Sequence, residues 1–471
     1  MNTNSTPTCD RRVIGFDCYP DTFTAAMIEG KTPAQAIVQK IYNRMAMSQL
    51  QSWAKKNTNP EDLIVLEASG NSFQVVRSLI AVERKAIVLE SCQMGKLKEA
   101  HANNDKISAV RVGKAYLAGT AKSVWVPDLK TQERRDWFHA HRKSVKRTTQ
   151  MQNRILSYLS DNGVRLEKGE ALDEVKILAG TTRQAGPWSA RQSQVLKGHF
   201  MERAHAQQQR EHWQSLMAQE VLEDPLLLSL VRLCGVREIV AFSLGAIIGD
   251  VHRFASPAKL VKYLGLNPAF DDSGEGERRG GIGGHGRNDL RALLVESAQS
   301  IMRSPTQAQG KWGRQLLARK GSVNLAVAAV ARKLAVAIWY LMMGKWTDLE
   351  EVDVRLDQKI GKIVAHVGPQ GLKVLDKTSR QLKEQARETI KTGRTYVLNP
   401  VRMMALNPAP VASHCRLCGS AKAVPRPKSA DKTSSSTTRS KAKPALTQDC
   451  RTDPEKKPLI KGKKKTEKSS C

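Results

Sequence analysis

Apolar and polar positions change their period twice along the chain. In the first quarter the apolar runs are short, β-branched and bounded by turn residues. Arg12–Cys18 and Thr22–Ile28 flank Tyr19-Pro20-Asp21 and predict a hairpin. Gln35–Tyr42 predicts a third strand, and Met45–Lys56 a helix that Asn57-Thr58-Asn59-Pro60 ends. Asp62–Ala68 reads as a buried central strand. Ser69-Gly70-Asn71 is a turn before a helix over Ser72–Val82. Two further strands, Ala86–Glu90 and Ser123–Val126, enclose a helix over Lys106–Leu117. Strands alternating with helices imply an α/β domain over residues 11–128.

From Lys130 to about Val221 the strand period disappears. The segment is rich in Arg, Gln, Glu, His and Ala, and predicts a long helical spacer, coiled-coil-like, over 129–222. Asn162-Gly163 interrupts its first helix and Gly186-Pro187 breaks the next part. Residues 223–346 form a second, mostly helical unit. Within it, Leu233-Cys234-Gly235-Val236 followed by a helix to Ile248 resembles half of a helix-hairpin-helix. Such a turn aims helix N-terminal amides at a phosphate, and an ordinary helix–helix turn explains it equally well. Residues 347–398 predict a helical extension, and 399–471 a disordered basic tail rich in Pro, Ser, Thr and Lys.

Charge changes the picture more than length does. The 471 residues carry a formal net charge of +31, which implies a polyanionic partner, DNA or RNA. The stretch from Ala421 to Cys471 holds 15 Lys/Arg and 5 Asp/Glu, so +21 lies upstream of it. The eight cysteines are scattered, as suits a reducing compartment. The chain opens on a polar segment with no apolar signal core, and its most apolar stretch, Leu325–Met343, is broken by Arg332 and Lys333. These features predict a cytoplasmic, DNA-associated protein with no membrane span.

Three acids stand where chemistry is to be expected. Asp17 follows the apolar run Val13–Phe16, Glu67 follows Leu63–Leu66, and Asp105 opens an amphipathic helical stretch. Carboxylates converging from strand ends can hold divalent cations such as Mg²⁺, which stabilise the attacking and leaving oxygens of a phosphodiester. Any one of these acids alone would be read as a solvated loop residue; the three together favour a metal site. A second segment, Asp271–Arg287, carries seven glycines together with Arg278, Arg279 and Arg287. It lacks the Gly-Lys-Ser/Thr of a phosphate-binding loop, and no predicted strand leads into it as a dinucleotide fingerprint requires. It reads either as a ligand-approaching backbone with phosphate-binding arginines or as a flexible surface loop. Ser273 is a candidate nucleophile or simply a turn residue. Arg287 and Arg291 begin a helix over Asn288–Met302, where they either grip phosphates or line a solvated face. His414-Cys415-Arg416-Leu417-Cys418 has no second ligand pair nearby and is not read as a zinc site.

Taken in order, these motifs resemble the DEDD-type transposases of the insertion sequence 110 and 1111 group. Gly15–Thr22 is similar to the family's first strand motif, Leu66–Asn71 to its Glu-Ala-Thr/Ser-Gly motif, and Asn104–Ala109 to its Thr-Asp-x-x-Asp-Ala motif. Gly249–Phe254, Leu264–Pro268, Asp272–Gly274, Gly286–Asn288 and Ala331–Leu334 are similar to the motifs of its second domain. The resemblance runs from about Val13 to Lys345, apart from much of the spacer. It departs at Ser108, where the family has a fourth acid, and at Pro20, often a lysine in the family.

The resemblance implies a RuvC-like, ribonuclease H-type N-terminal domain in which Asp17, Glu67 and Asp105 bind Mg²⁺. Ser273 would attack a DNA phosphate and form a covalent phosphoserine link. Arg278, Arg279, Arg287 and Arg291, phosphate-binding candidates by their own chemistry, would then be the nucleic-acid contacts. The two domains would meet across a homo-oligomer, a dimer or tetramer, and a structured non-coding RNA would guide the enzyme to element ends and target DNA. Two other readings stay open: a metal-dependent junction nuclease in which Ser273 is only a turn residue, and a non-catalytic nucleic-acid-binding derivative, which Ser108 favours.

Overall fold

The computed structural model describes residues 12–96, 104–167, 170–180, 188–273, 276–283, 285–345 and 355–392. The N-terminal part comprises β1 (Val13–Cys18), β2 (Thr22–Glu29), β3 (Ile37–Ala46), α1 (Leu50–Asn57), β4 (Leu63–Glu67) and α2 (Ser72–Ile80). β5 (Lys85–Leu89), α3 (Ser91–Lys96), α4 (Asp105–Leu117) and β6 (Ser123–Val124) complete it. The strands form one mixed sheet in the order β3-β2-β1-β4-β5-β6. β1, β4 and β5 run parallel, while β2, β3 and β6 join antiparallel at the two sides. This six-stranded α/β layer is compatible with a ribonuclease H-like fold. The expected helix over Met45–Lys56 starts only after a short 3-10 turn, because β3 continues through Ala46.

Period-2 alternation gives the sheet two different faces. Ile14, Phe16, Ile64 and Leu66 pack against Trp53, Val75, Val76 and Leu79 of α1 and α2. Phe16 and Phe23 stack at 5.3 Å, and Trp53 meets both edge-on. The opposite residues, Val13, Leu63, Val65 and Leu89, pack against Val112 and Ala115 of α4. Gly15 sets how closely α4 approaches: a Cβ there would stand 2.0 Å from the Ala109 carbonyl oxygen and 2.8 Å from the Gly113 amide nitrogen.

Two long helices follow, α5 (Leu129–Asp161) and, after the short α6 (Glu174–Leu178), α7 (Ala190–Glu223). Asp128 caps α5 and a Ser189/Gln192 capping box starts α7. They pair with each other and run antiparallel. Arg134 near the start of α5 bonds Glu220 and Asp224 at the end of α7, and Gln192 reaches Asn162 at the other end. α6 closes the far end through Ile177, buried with Ile155, Leu159, Leu196 and Phe200. The predicted break at Gly186-Pro187 lies outside the described residues.

The remainder is α8 (Pro225–Leu230), α9 (Glu238–Ile248), α10 (Pro257–Tyr263), β7 (Pro268–Ser273), β8 (Gly276–Ile282), α11 (Asn288–Arg303), α12 (Ala308–Lys320), α13 (Val323–Met342), α14 (Leu356–Val374) and α15 (Ser379–Thr392). Its largest apolar cluster gathers α8, α9, α11 and α13, with Ile360, Ile363, Val364 and Val367 of α14 inside it. The helical extension is therefore part of this core. Lys359, buried in it, donates to the carbonyls of Val231 and Leu233. α13 is the one described helix long and apolar enough to cross a bilayer, and most of it is buried inside the fold. One expectation is corrected. The glycine-rich segment is not a loop but a two-stranded hairpin, β7–β8. A strand does lead into the glycines, and what excludes a dinucleotide fingerprint is the second strand where a helix is required. The tail and Cys415/Cys418 lie outside the described residues.

Candidate active site

The parallel register of β1 with β4 ends on Phe16 opposite Leu66. One step further along both strands stand Asp17 and Glu67, side by side at the C-terminal ends of the central strands. Both continue the odd-numbered rows Val13–Gly15 and Leu63–Val65, so both lie on the α4 side of the sheet. Because Gly15 packs on Ala109 and Gly113, α4 runs back across β1 and its N-terminus comes to the Asp17 end. Asn104 caps that terminus by accepting from the Ile107 amide. Asp105 is thus delivered by a helix and the other two acids by strands, all half-buried.

The loop after β1 ties the site together. The Tyr19 hydroxyl donates to Asp105 Oδ1 at 3.4 Å, and Asn71 Nδ2 donates to the Tyr19 carbonyl at 2.9 Å. The charges of Asp17 and then Asp105 push the Tyr19 phenol above its usual range. Burial, then the Asp17 charge, pushes the Cys18 thiol up to about 12, so it is an inert thiol. The other Asp105 oxygen accepts from Arg44 Nε at 3.1 Å. Arg44 sits in a bulge of β3, where the pairing shifts between Phe23 and Ala25, and its φ is +47°. Its amide donates to Thr24 Oγ1, whose hydroxyl donates to Asn43 Oδ1. A left-handed non-glycine residue costs of order 1–3 kcal/mol, more than an exposed ion pair returns at about 0–1 kcal/mol. The Arg44 side chain is 74% exposed, so the bulge, not the ion pair, imposes this backbone.

Hard oxygen donors in this number suit Mg²⁺, and the strand pair supplies two of them at neighbouring positions. The third is turned to Tyr19 and Arg44, and among the described residues no three acid, histidine or cysteine groups are gathered as a ready metal site. Ser108 lies one helical turn after Asp105 and is half-buried, with its amide bonded to the Asn104 carbonyl.

The hairpin places the second candidate. Ser273 pairs with Gly276 at its tip, Asp271 with Arg278, and Phe270 with Arg279. The side chains of Ser273, Arg278 and Arg279 lie outside the described residues. Arg287 pairs with Asp289 at 2.6 Å and, despite burial, has its pKa raised by that hydrogen bond. Burial works against Asp289 ionisation, yet Arg287 holds its pKa below the usual carboxylate value. Arg291 donates to the carbonyls of Gly265, Gly283 and His285 and to Asn288 Oδ1, so its guanidinium organises the hairpin base. Gly265, at φ +70°, explains one motif glycine, because a Cβ there would stand 2.2 Å from the His285 carbonyl oxygen. Gly235 is likewise accounted for by packing, with φ +76° and a Cβ position 2.6 Å from the Ser297 carbonyl oxygen.

Sequence reasoning missed a cluster where the two parts meet. Arg253 and Arg135 donate to the last carbonyls of α9, at Ala246, Ile247 and Ile248. Both guanidinium groups lie over the Trp125 ring, at 4.5 and 5.1 Å. Burial lowers both, Arg135 to about 10. Gly249, at φ +57°, leaves room for Trp125, whose Cη2 would stand 2.5 Å from an added Cβ. The Gly-Asp…Arg-Phe motif is thus a helix-end clamp on an aromatic anchor.

Residues 229–312, from the end of α8 through the hairpin into α12, match the model of the transposase IS116/IS110/IS902 family. The chain is 26% identical over 270 residues to a Sinorhizobium fredii protein named as a transposase, y4qE, covering 57% of this chain and 64% of that one. It is 23% identical over 340 residues to the transposase for insertion sequence element IS1111A of Coxiella burnetii, covering 71% and 90% of the two chains. A Pseudomonas aeruginosa protein named as a family 20 transposase is 23% identical over 287 residues, 60% of this chain and 84% of its own. Over these stretches the chain is similar to transposases of the insertion sequence 110/1111 group. The family-model match takes in Gly249–Phe254, Gly265–Pro268, Ser273, Arg287 and Arg291, and it leaves the three acids of the sheet outside its span.

Proposed function

We propose that this protein is the transposase of an insertion sequence, a DNA recombinase that cuts and rejoins element ends through Ser273 with help from the acidic site. The reading is supported by a segment similar to the transposase family, which holds the Ser273 hairpin, sharing its chain with a sheet whose neighbouring strands β1 and β4 end on Asp17 and Glu67, on the side where α4 brings Asp105. Under this reading the N-terminal part is a RuvC-like, ribonuclease H-type domain. Mg²⁺ held by Asp17, Glu67 and Asp105 would neutralise charge developing on the phosphate oxygens. Ser273 Oγ forms a bond to phosphorus, the P–O bond of the DNA strand breaks, and the released strand end leaves as a hydroxyl with the serine proton. The phosphoserine ester conserves the bond energy for rejoining, when a DNA hydroxyl attacks it and the serine is regenerated. Arg278, Arg279, Arg287 and Arg291 would contribute positive charge towards the DNA around this point, Arg291 chiefly by holding the hairpin base. A structured RNA of the element supplies target choice, the protein acts in the cytoplasm as a dimer or tetramer, and the +31 charge serves both nucleic acids.

The test is adduct trapping. Full-length protein is incubated with element-end DNA, the flanking non-coding RNA and Mg²⁺, then denatured and digested. A phosphonucleotide on the peptide containing Ser273, absent in Ser273→Ala and in Asp17→Asn, is expected. Strand cleavage with water as nucleophile and no adduct would replace this reading by the junction nuclease. Binding without cleavage under every condition would replace it by the non-catalytic derivative.

A further inference from the structure

Arg44 stands out because nothing in the folding of the sheet calls for an arginine there. Its backbone is held left-handed inside a β3 bulge, a conformation that glycine or asparagine adopts more readily. Bulges beside active sites re-aim a side chain, and this one aims a guanidinium at the one acid of the three that a helix delivers. The contact is made through Nε alone, at 3.1 Å. The side chain is largely exposed, so the rest of the guanidinium faces solvent next to Asp105.

We propose that Arg44 is a resident counter-ion that a divalent cation displaces from Asp105, and that the released guanidinium then binds a phosphate of the DNA backbone next to the acidic site. This rests on the acidic site being the metal site of the proposed recombinase. Asp105 needs a positive partner before the metal arrives and has one in Arg44. When the metal takes over Asp105, the guanidinium is left with a planar fork suited to phosphate, on an exposed strand edge that DNA can reach. Metal loading and DNA grip are thereby coupled through one side chain, because each new contact removes the competitor of the other.

Calorimetric titration of the full-length protein with Mg²⁺, and with Mn²⁺ as a second probe, tests the first half. Arg44→Gln and Arg44→Gly should bind metal about two- to five-fold more tightly than the parent, the range expected for removing one exposed ion pair. Arg44→Lys, which keeps a cation, should lie between. Glycine suits the bulge, so that variant guards against misfolding, and circular dichroism checks it. The second half is read by the affinity for a short duplex with and without Mg²⁺: the gain on adding Mg²⁺ should be smaller in Arg44→Gln than in the parent. Unchanged metal affinity in both Arg44 variants, or an unchanged Mg²⁺-dependent gain in DNA affinity, overturns the proposal. Asp17→Asn and Asp105→Asn distinguish the cause. If they abolish metal binding while the Arg44 variants do nothing, the site reading stands and the Arg44 inference falls. If they too leave metal binding untouched, both fall.

Discussion

At the residue scale, the site depends on a side chain that is not there. Gly15 lets α4 lie on β1 with backbone against backbone, and an added Cβ would meet the Ala109 carbonyl oxygen at 2.0 Å. Gly15→Ala should therefore cost about 1–3 kcal/mol from forced overpacking, measured as a lowered urea midpoint. If the acids bind metal as proposed, that binding should weaken as well, since Asp105 rides on the displaced helix. His141 makes a second prediction. Both of its ring nitrogens are buried without a partner, and burial, then Arg210, lowers its pKa from 6.5 to about 4. Between those values the unfolded chain binds the proton and the folded one does not, so stability falls as pH falls through the window. Urea midpoints at pH 7 and pH 5 should differ less in His141→Phe than in the parent. The three acids were legible in the sequence because each terminates or opens a periodic segment. Arg44 was not: Asn43-Arg44-Met45 gives no signal, and its role comes from a pairing irregularity that only the fold reveals.

At the element scale, the strands of the sheet were legible because buried parallel strands are dense in Val, Ile and Leu. The β7–β8 hairpin was not. Its glycines and arginines hide the alternation, and low strand propensity is offset only by the pairing of Pro268–Ser273 with Gly276–Ile282. The extension was predicted as helix without a role, since amphipathic spacing does not say which core a face will join. The structure supplies the role: α14 buries Ile360, Ile363, Val364 and Val367 in the main helical core. Ending the chain after Lys345 should expose that core, giving protein that binds hydrophobic dyes and aggregates. Lys359→Met should cost about 1–3 kcal/mol, because the Val231 and Leu233 carbonyls lose a buried donor. A truncated chain that stays monomeric with an unchanged thermal transition would refute this account of α14.

At the scale of the whole molecule, the net charge of +31 should make DNA binding steeply salt-dependent. If six to ten phosphates are neutralised, affinity should fall roughly 10³- to 10⁵-fold between about 50 and 200 mM salt. A near-flat salt titration by fluorescence anisotropy would argue against an extended phosphate interface. The sheet and the helical core also share the Trp125 junction, where an aromatic ring next to β6 lies under Arg135 of α5 and Arg253 beyond α9, with Gly249 making room. This sets a rule for exchanging parts between relatives. A transplanted N-terminal sheet brings its own residue at position 125, and it will seat only on a recipient whose helices offer the matching glycine and arginine pair. Chimeras cut near residue 128 should therefore fold or fail according to whether that quartet travels together, so one tryptophan limits where the gene can be cut and rejoined with another.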